Sequence, residues 1–122
     1  MNKVILVVDD DVEITVIVEG ILKQHNYEVL VAHDGPHAVE QSHKHRLDLI
    51  LMDVRMPYFS GIWFCDAFKQ KSQTRNIPII IMSSLSSEED IQKAYQAGAV
   101  GYLKKPFQVE ELLDAVKKAI VI

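Results

Sequence analysis

Acidic residues stand where apolar runs end. Asp9, Asp10 and Asp11 follow Val4–Val8 directly, Asp53 follows Leu47–Met52, and two further apolar runs lead to Ser83-Ser84 and to Lys104-Lys105-Pro106. If those runs are neighbouring strands, the carboxylates of Asp9, Asp10 and Asp53 meet a hydroxyl and an ammonium on one edge of a sheet. Two carboxylates about 5 Å apart at an effective dielectric near 20 repel by roughly 3 kcal/mol, so the set calls for positive charge. An all-oxygen group of this kind suits a hard divalent cation. Mg²⁺ in particular prefers a few carboxylates, waters and a phosphate oxygen. The competing reading, in which Asp9 and Asp10 merely cap the next helix, accounts for one Asp but not for the convergent set.

The elements that must position these residues are legible from periodicity. Val4–Val8, Tyr27–Ala32, Leu47–Met52, Ile77–Met82 and Val100–Leu103 are short, continuous and rich in Val, Ile and Leu. That is the pattern of strands covered on both faces, as in a parallel sheet between helix layers. Helical spacing links them. Ile14, Ile17, Val18, Ile21 and Leu22 make one stripe, and Val109, Leu112, Leu113, Val116, Ala119 and Ile120 another. Asp11, Ser60 and the Ser86-Ser87-Glu88-Glu89 stretch supply N-caps, and Gly98 closes the fourth helix. The second helix, roughly Pro36–His45, has only Ala38 and Val39 as its apolar stripe. The alternation is α/β, a (βα)₅ doubly wound three-layer sandwich with a five-stranded parallel sheet. In such a sheet ligands bind beyond the carboxyl ends of the strands, where the acidic residues lie.

Composition narrows the class. The chain has 122 residues, 13 basic against 17 acidic for a net charge of −4, 48% apolar residues and one cysteine. This fits one domain, 1–122, with no room for a second. Cys65 alone cannot form an internal disulfide, and the cytoplasm is the expected compartment. No run approaches the roughly 18 apolar residues of a membrane span, and no signal peptide layout opens the chain. With no Lys/Arg block, neither direct nucleic-acid binding nor a membrane contact is expected.

Taken together the motifs resemble the response-regulator receiver domain, the CheY-like phosphoacceptor module of two-component signalling. Ile5–Asp10 resembles the family's opening acidic pair. Asp48–Asp53 with Met56-Pro57 and Gly61 resembles its phosphorylation strand and loop. Pro78–Ser83 resembles the fourth-strand switch, and Ala97–Phe107 the fifth-strand signature. The resemblance implies a flavodoxin-like strand order 2-1-3-4-5. It implies that Asp53 accepts a phosphoryl group and that Mg²⁺ is held by Asp9, Asp10, Asp53 and the backbone carbonyl of Arg55. Lys105 and Ser83 would stabilise the phosphoryl oxygens, with Lys104 pointing away into solvent. Ser83 and Tyr102 would form the switch, altering the surface of the fourth helix, fifth strand and fifth helix for a downstream protein. The donor would be a sensor histidine kinase or histidine phosphotransfer protein. The module would be a switch that promotes its own phosphorylation and dephosphorylation, not a conventional turnover enzyme. Pro106 resembles the family's cis-proline.

Departures from the family pattern carry their own expectations. Ser60 stands before Gly61 where many receivers have an acidic residue, which changes only a cap. Ile62–Phe68 is apolar nearly all round, so Trp63, Phe64 and Phe68 either extend the core or offer some of themselves to a partner. Arg55 and Leu85, two residues beyond Asp53 and Ser83, suggest shielding from water and slower loss of the phosphoryl group. His33, His37, His43 and His45 read as a solvated face and Cys65 as packing. Other readings remain open: a receiver that is part of a longer regulator with an output domain, an aspartyl-phosphate phosphohydrolase, whose second Asp would occupy the position of Arg55, and a flavin module, whose phosphate the acidic cluster would repel.

Overall fold

The computed structural model describes residues 2–57 and 59–120. Strands β1 (Val4–Val8), β2 (Glu28–Ala32), β3 (Leu49–Asp53), β4 (Ile79–Ser83) and β5 (Gly101–Lys104) alternate with helices α1 (Val12–Gln24), α2 (Gly35–Lys44), α3 (Gly61–Gln70), α4 (Glu88–Gln96) and α5 (Val109–Ile120). The strands form one parallel sheet in the order β2-β1-β3-β4-β5. The expected α/β architecture and strand order are both found.

The continuous apolar runs are divided by the pleat between two cores. Leu6, Val8, Ile50, Met52, Ile79 and Ile81 face one cluster, which takes Ala38, Phe64, Phe68 and Ala94 from α2, α3 and α4. Ile5, Val7, Leu49, Leu51, Ile80 and Met82 face the other, which takes Val18, Leu22, Leu112 and Val116 from α1 and α5. Alternating residues of one strand thus bury on opposite faces, which is why these strands show no polar alternation in sequence.

β1 coincides with its apolar run and β2 starts one residue late, while β3, β4 and β5 start one or two residues later and end one residue later than their runs suggest. Leu47 and Ile77 precede their strands in the approach loops, while Asp53, Ser83 and Lys104 are the last strand residues. Polar residues therefore end β3, β4 and β5, and the sheet itself brings them to one edge.

Two stripes are narrower than their periodicity implies. Ile17 is 60% exposed, whereas Thr15 is buried with Val18 and Leu22. The Thr15 hydroxyl is satisfied by donating to the Val12 carbonyl at 2.7 Å, so burying it leaves no orphan. Val109 at the start of α5 is likewise exposed, as is Val100 just before β5. The sparse helix α2 is held at its start: Asp34 accepts the His37 amide at 2.7 Å, and Pro36 lies in the first turn. Asp11 caps α1, Ser60 caps α3 and Ser87 caps α4, as their sequence positions suggest. Gly98 has φ +106, a left-handed conformation that suits glycine after α4.

Within Ile62–Phe68 the alternatives divide by residue. Phe64, Cys65 and Phe68 are buried in the core, while Trp63 is 50% exposed and stacks on Phe59 with ring centroids 4.5 Å apart. No helix among the described residues is long and apolar enough to cross a membrane.

Candidate functional site

Ends of β1, β3, β4 and β5 deliver the side chains to one edge. Asp9 is fully buried and Asp53 is 6% exposed, whereas Asp10, the second residue of the β1–α1 loop, is exposed. Ligand oxygens of Asp9, Asp10 and Asp53 all lie within 4.8 Å of one another. Lys105 reaches into the group, with Nζ donating to Asp9 Oδ2 at 2.6 Å and to Asp53 Oδ1 at 3.1 Å. Its neighbour Lys104 is exposed, as the pleat requires.

Backbone geometry explains the convergence. The Lys105 amide donates to the Ser83 carbonyl at 2.8 Å, tying the end of β5 to the end of β4. Lys105-Pro106 is a cis peptide bond, the isomer the family pattern implies. Gly61 lets the start of α3 press on the end of β3, because a Cβ there would lie 2.0 Å from the Asp53 carbonyl oxygen. Its amide donates to the Val54 carbonyl at 2.9 Å, which fixes the loop that carries Arg55. The Arg55 side chain is exposed, and the residue lines a depression of about 510 Å³ with Asp10, Met56, Pro57 and Phe59.

The carboxylates are not equivalent. Asp9 is engaged on both oxygens, by Lys105 and by the Asp11 amide at 3.0 Å. Asp10 receives no hydrogen bond from any described residue, leaving its lone pairs free. Asp53 has its pKa pushed up from 3.8 to about 6, by burial first and then by the charge of Asp9, with the hydrogen bond and charge of Lys105 opposing. For Lys105 the largest effect, burial, would lower the pKa, but the hydrogen bonds and charges of Asp9 and Asp53 together outweigh it and hold it above 10.5. Three carboxylates against one ammonium leave the buried edge short of positive charge. The donor set, all oxygen with one carboxylate unengaged, fits a hard divalent cation.

Ser83 and Tyr102 are joined through a residue that sequence reading treated only as a shield. Leu85 donates its amide to Ser83 Oγ at 3.0 Å and accepts the Tyr102 hydroxyl on its carbonyl at 2.5 Å. These are backbone contacts, so no side-chain pattern announces them. His33 is exposed, in keeping with the expected solvated face, yet it also makes a contact toward the site. Its Nδ1 lies 3.0 Å from the Asp9 carbonyl oxygen, 24 residues away in sequence. Its position directly after β2, the neighbour of β1, was the available signal. Cys65 is buried with its thiol pKa pushed up to about 11 by burial, consistent with packing.

Comparison with known proteins supplies the family. The model of the response regulator receiver domain matches residues 5–117. The transcriptional regulatory protein PdtaR of Mycobacterium tuberculosis is 34% identical over 117 residues, covering 95% of this chain and 56% of that protein. The phosphate regulon transcriptional regulatory protein PhoB of Escherichia coli is 37% identical over 117 residues, covering 96% of this chain and 51% of PhoB. The chain thus spans about half the length of these curated relatives. Among solved structures, the chemotaxis response regulator CheY4 of Vibrio cholerae matches with a TM-score of 0.92 at 35% identity, over 98% of this chain and 99% of that one. A response regulator from Chloroflexus aurantiacus matches at 0.94 and 31% identity, over 98% of both.

Proposed function

The chain belongs to the response regulator receiver domain family, and from that premise we propose that it is a phosphorylation-controlled switch in which Asp53 is the phosphoacceptor. A phosphohistidine on a sensor histidine kinase or histidine phosphotransfer protein is the donor. An Asp53 carboxylate oxygen forms the new O–P bond as the donor's N–P bond breaks, and the imidazole leaves and regains a proton. Mg²⁺ belongs with Asp10, Asp53, Asp9 and the Arg55 carbonyl. Bound there, it supplies positive charge against the carboxylates and the phosphoryl oxygens. Lys105, already paired to Asp9 and Asp53, can turn a donor toward a phosphoryl oxygen, and Ser83 can offer its hydroxyl to another. The observation that carries this reading is the convergence of Asp53, Asp9, Asp10 and Lys105 on one sheet edge.

Output follows from the Ser83–Leu85–Tyr102 chain. A Ser83 hydroxyl drawn to the phosphoryl group gives up the Leu85 amide, and Leu85 in turn holds Tyr102. Tyr102 lines a depression of about 550 Å³ between α4, β5 and α5 with Tyr95, Glu111 and Lys118, and this is the surface offered to a downstream protein. The module acts as a switch and not as a conventional turnover enzyme, and its compartment is the cytoplasm. Because the matched relatives are about twice as long, a second reading is a receiver within a longer regulator that carries an output domain.

The test is labelling by a small phosphodonor such as acetyl phosphate. Labelling should require Mg²⁺ and vanish in Asp53→Asn. Labelling that persists in that variant moves the acceptor elsewhere, and steady phosphate release with no labelled protein points to a phosphohydrolase.

A further inference from the structure

We propose that His33 is a positioning residue for the carboxylate cluster, holding the Asp9–Asp10 peptide so that Asp10 presents its carboxylate to the cation; the inference rests on the magnesium reading above. The Asp9 carbonyl is half of the peptide group that joins Asp9 to Asp10, and His33 Nδ1 contacts it at 3.0 Å. A carbonyl oxygen only accepts, so Nδ1 carries the hydrogen and the imidazole is the donor. On the other side of the same residue, the Asp9 amide donates to the Ala32 carbonyl at 3.1 Å. Two consecutive residues at the end of β2, Ala32 and His33, therefore grip Asp9 by its N–H and its C=O.

The grip matters because of how unevenly the pair is held. The Asp9 side chain is fixed without His33, by Lys105 and the Asp11 amide. Asp10 has neither burial nor a hydrogen bond to orient it, so its direction is set by the peptide that precedes it. Among the described residues, His33 is the only hydrogen-bond donor that reaches the carbonyl of that peptide. Releasing it frees the peptide plane to rotate, and rotation swings Asp10 away from Asp53. Groups that hold metal ligands in place commonly alter affinity by tenfold or more. An exposed imidazole on a backbone carbonyl belongs at the lower end of that range.

Calorimetric titration of Mg²⁺ into the wild type, His33→Ala, His33→Asn and Asp10→Asn tests the idea. His33→Ala should weaken binding by about three- to tenfold, and Asp10→Asn by more. His33→Asn should return to within about twofold of wild type, because its side-chain amide can donate from nearly the position of Nδ1. In the metal-free protein the Asp10 amide nitrogen shift should move in His33→Ala and return in His33→Asn. Wild-type affinity in His33→Ala overturns the proposal, as does His33→Asn binding as weakly as His33→Ala. No binding by the wild type overturns the magnesium reading and the role of His33 with it, a result distinct from either of those.

Discussion

Replacing Asp53 by Asn should stabilise the metal-free protein, although it removes the proposed acceptor. The reason is the cost of ionising a carboxyl that is 6% exposed beside Asp9. Its pKa rises from 3.8 to about 6, and at about 1.36 kcal/mol per unit the ionised form is penalised by about 3 kcal/mol in the fold. The pull of Lys105 already lies within that figure, and Lys105 keeps Asp9 at 2.6 Å in the variant. Allowing for relaxation around the site, the gain at pH 7.5 should be about 1–3 kcal/mol, or roughly 4–12 °C in unfolding midpoint for a domain of this size. The sign of the pH dependence follows from linkage. A pKa raised in the fold favours the native state fully below pH 3.8, and that advantage is lost as pH rises through about 6. The stability difference between variant and wild type should therefore be largest at pH 7.5, about half as large at pH 5 and small by pH 4. Urea unfolding of both proteins at those pH values in a chelator measures it, and taking the difference cancels the other carboxylates. Adding Mg²⁺ should narrow the gap by stabilising the wild type more than the variant. A variant less stable than wild type at pH 7.5, or a difference that ignores pH, refutes the account of the site as short of positive charge.

Lys105→Met should do the reverse, lowering metal-free stability by about 3 kcal/mol at pH 7.5 because it strands Asp9 and Asp53 without a cation. Denaturant unfolding should show the loss shrinking as acid protonates Asp53. Two glycine substitutions should differ in sign. Gly61→Ala drives a Cβ to within 2.0 Å of the Asp53 carbonyl, and it should lose at least about 2 kcal/mol and slow phosphodonor labelling. Gly20→Ala, in α1 with nothing within 4 Å, should gain about 0.5–1 kcal/mol in thermal unfolding and label normally. Tyr102→Phe removes one hydrogen bond to Leu85 and should cost about 1 kcal/mol, while NMR of the α4 region should show a reduced response to a phosphate mimic with Mg²⁺.

What could be read from sequence were the features with a period or a fixed chain position. Strands buried on both faces leave apolar runs, and the residues that follow them stand out by position, so Asp9 and Asp53 were visible, whereas choosing Ser83 over Ser84 and Lys105 over Lys104 needed the family resemblance. Runs cannot show where the sheet takes over from the approach loop, hence the shift of Leu47 and Ile77 out of β3 and β4. Periodicity also overstated the α1 stripe, since Ile17 has the right spacing but only Thr15, Val18 and Leu22 meet the sheet squarely. Contacts made by backbone atoms were invisible. Leu85 acts through its amide and carbonyl, and His33 meets Asp9 only because β2 and β1 are neighbours in register.

The same distinction bears on how the site can be both tense and specific. Burial makes Asp53 reluctant to ionise, yet a nucleophile needs the carboxylate. Lys105 resolves this only in part, because it is shared with Asp9 and binds that carboxylate at the shorter distance, 2.6 against 3.1 Å. At neutral pH Asp53 is ionised at a cost, and on the proposed reading a second cation would offset that cost, with the unengaged Asp10 giving it a place to arrive from solvent. On the proposed reading, a cation held by Asp10 and Asp53 would supply charge that Lys105 now supplies, leaving the ammonium free to donate to an incoming phosphoryl oxygen. Asp9, engaged at both oxygens, serves chiefly to keep Lys105 at the site throughout. The order of dependence that this proposed reading predicts is cation first and phosphoryl donor second. It requires that Lys105→Met impair labelling even at saturating Mg²⁺, since no amount of metal replaces the donor that reaches the phosphoryl group.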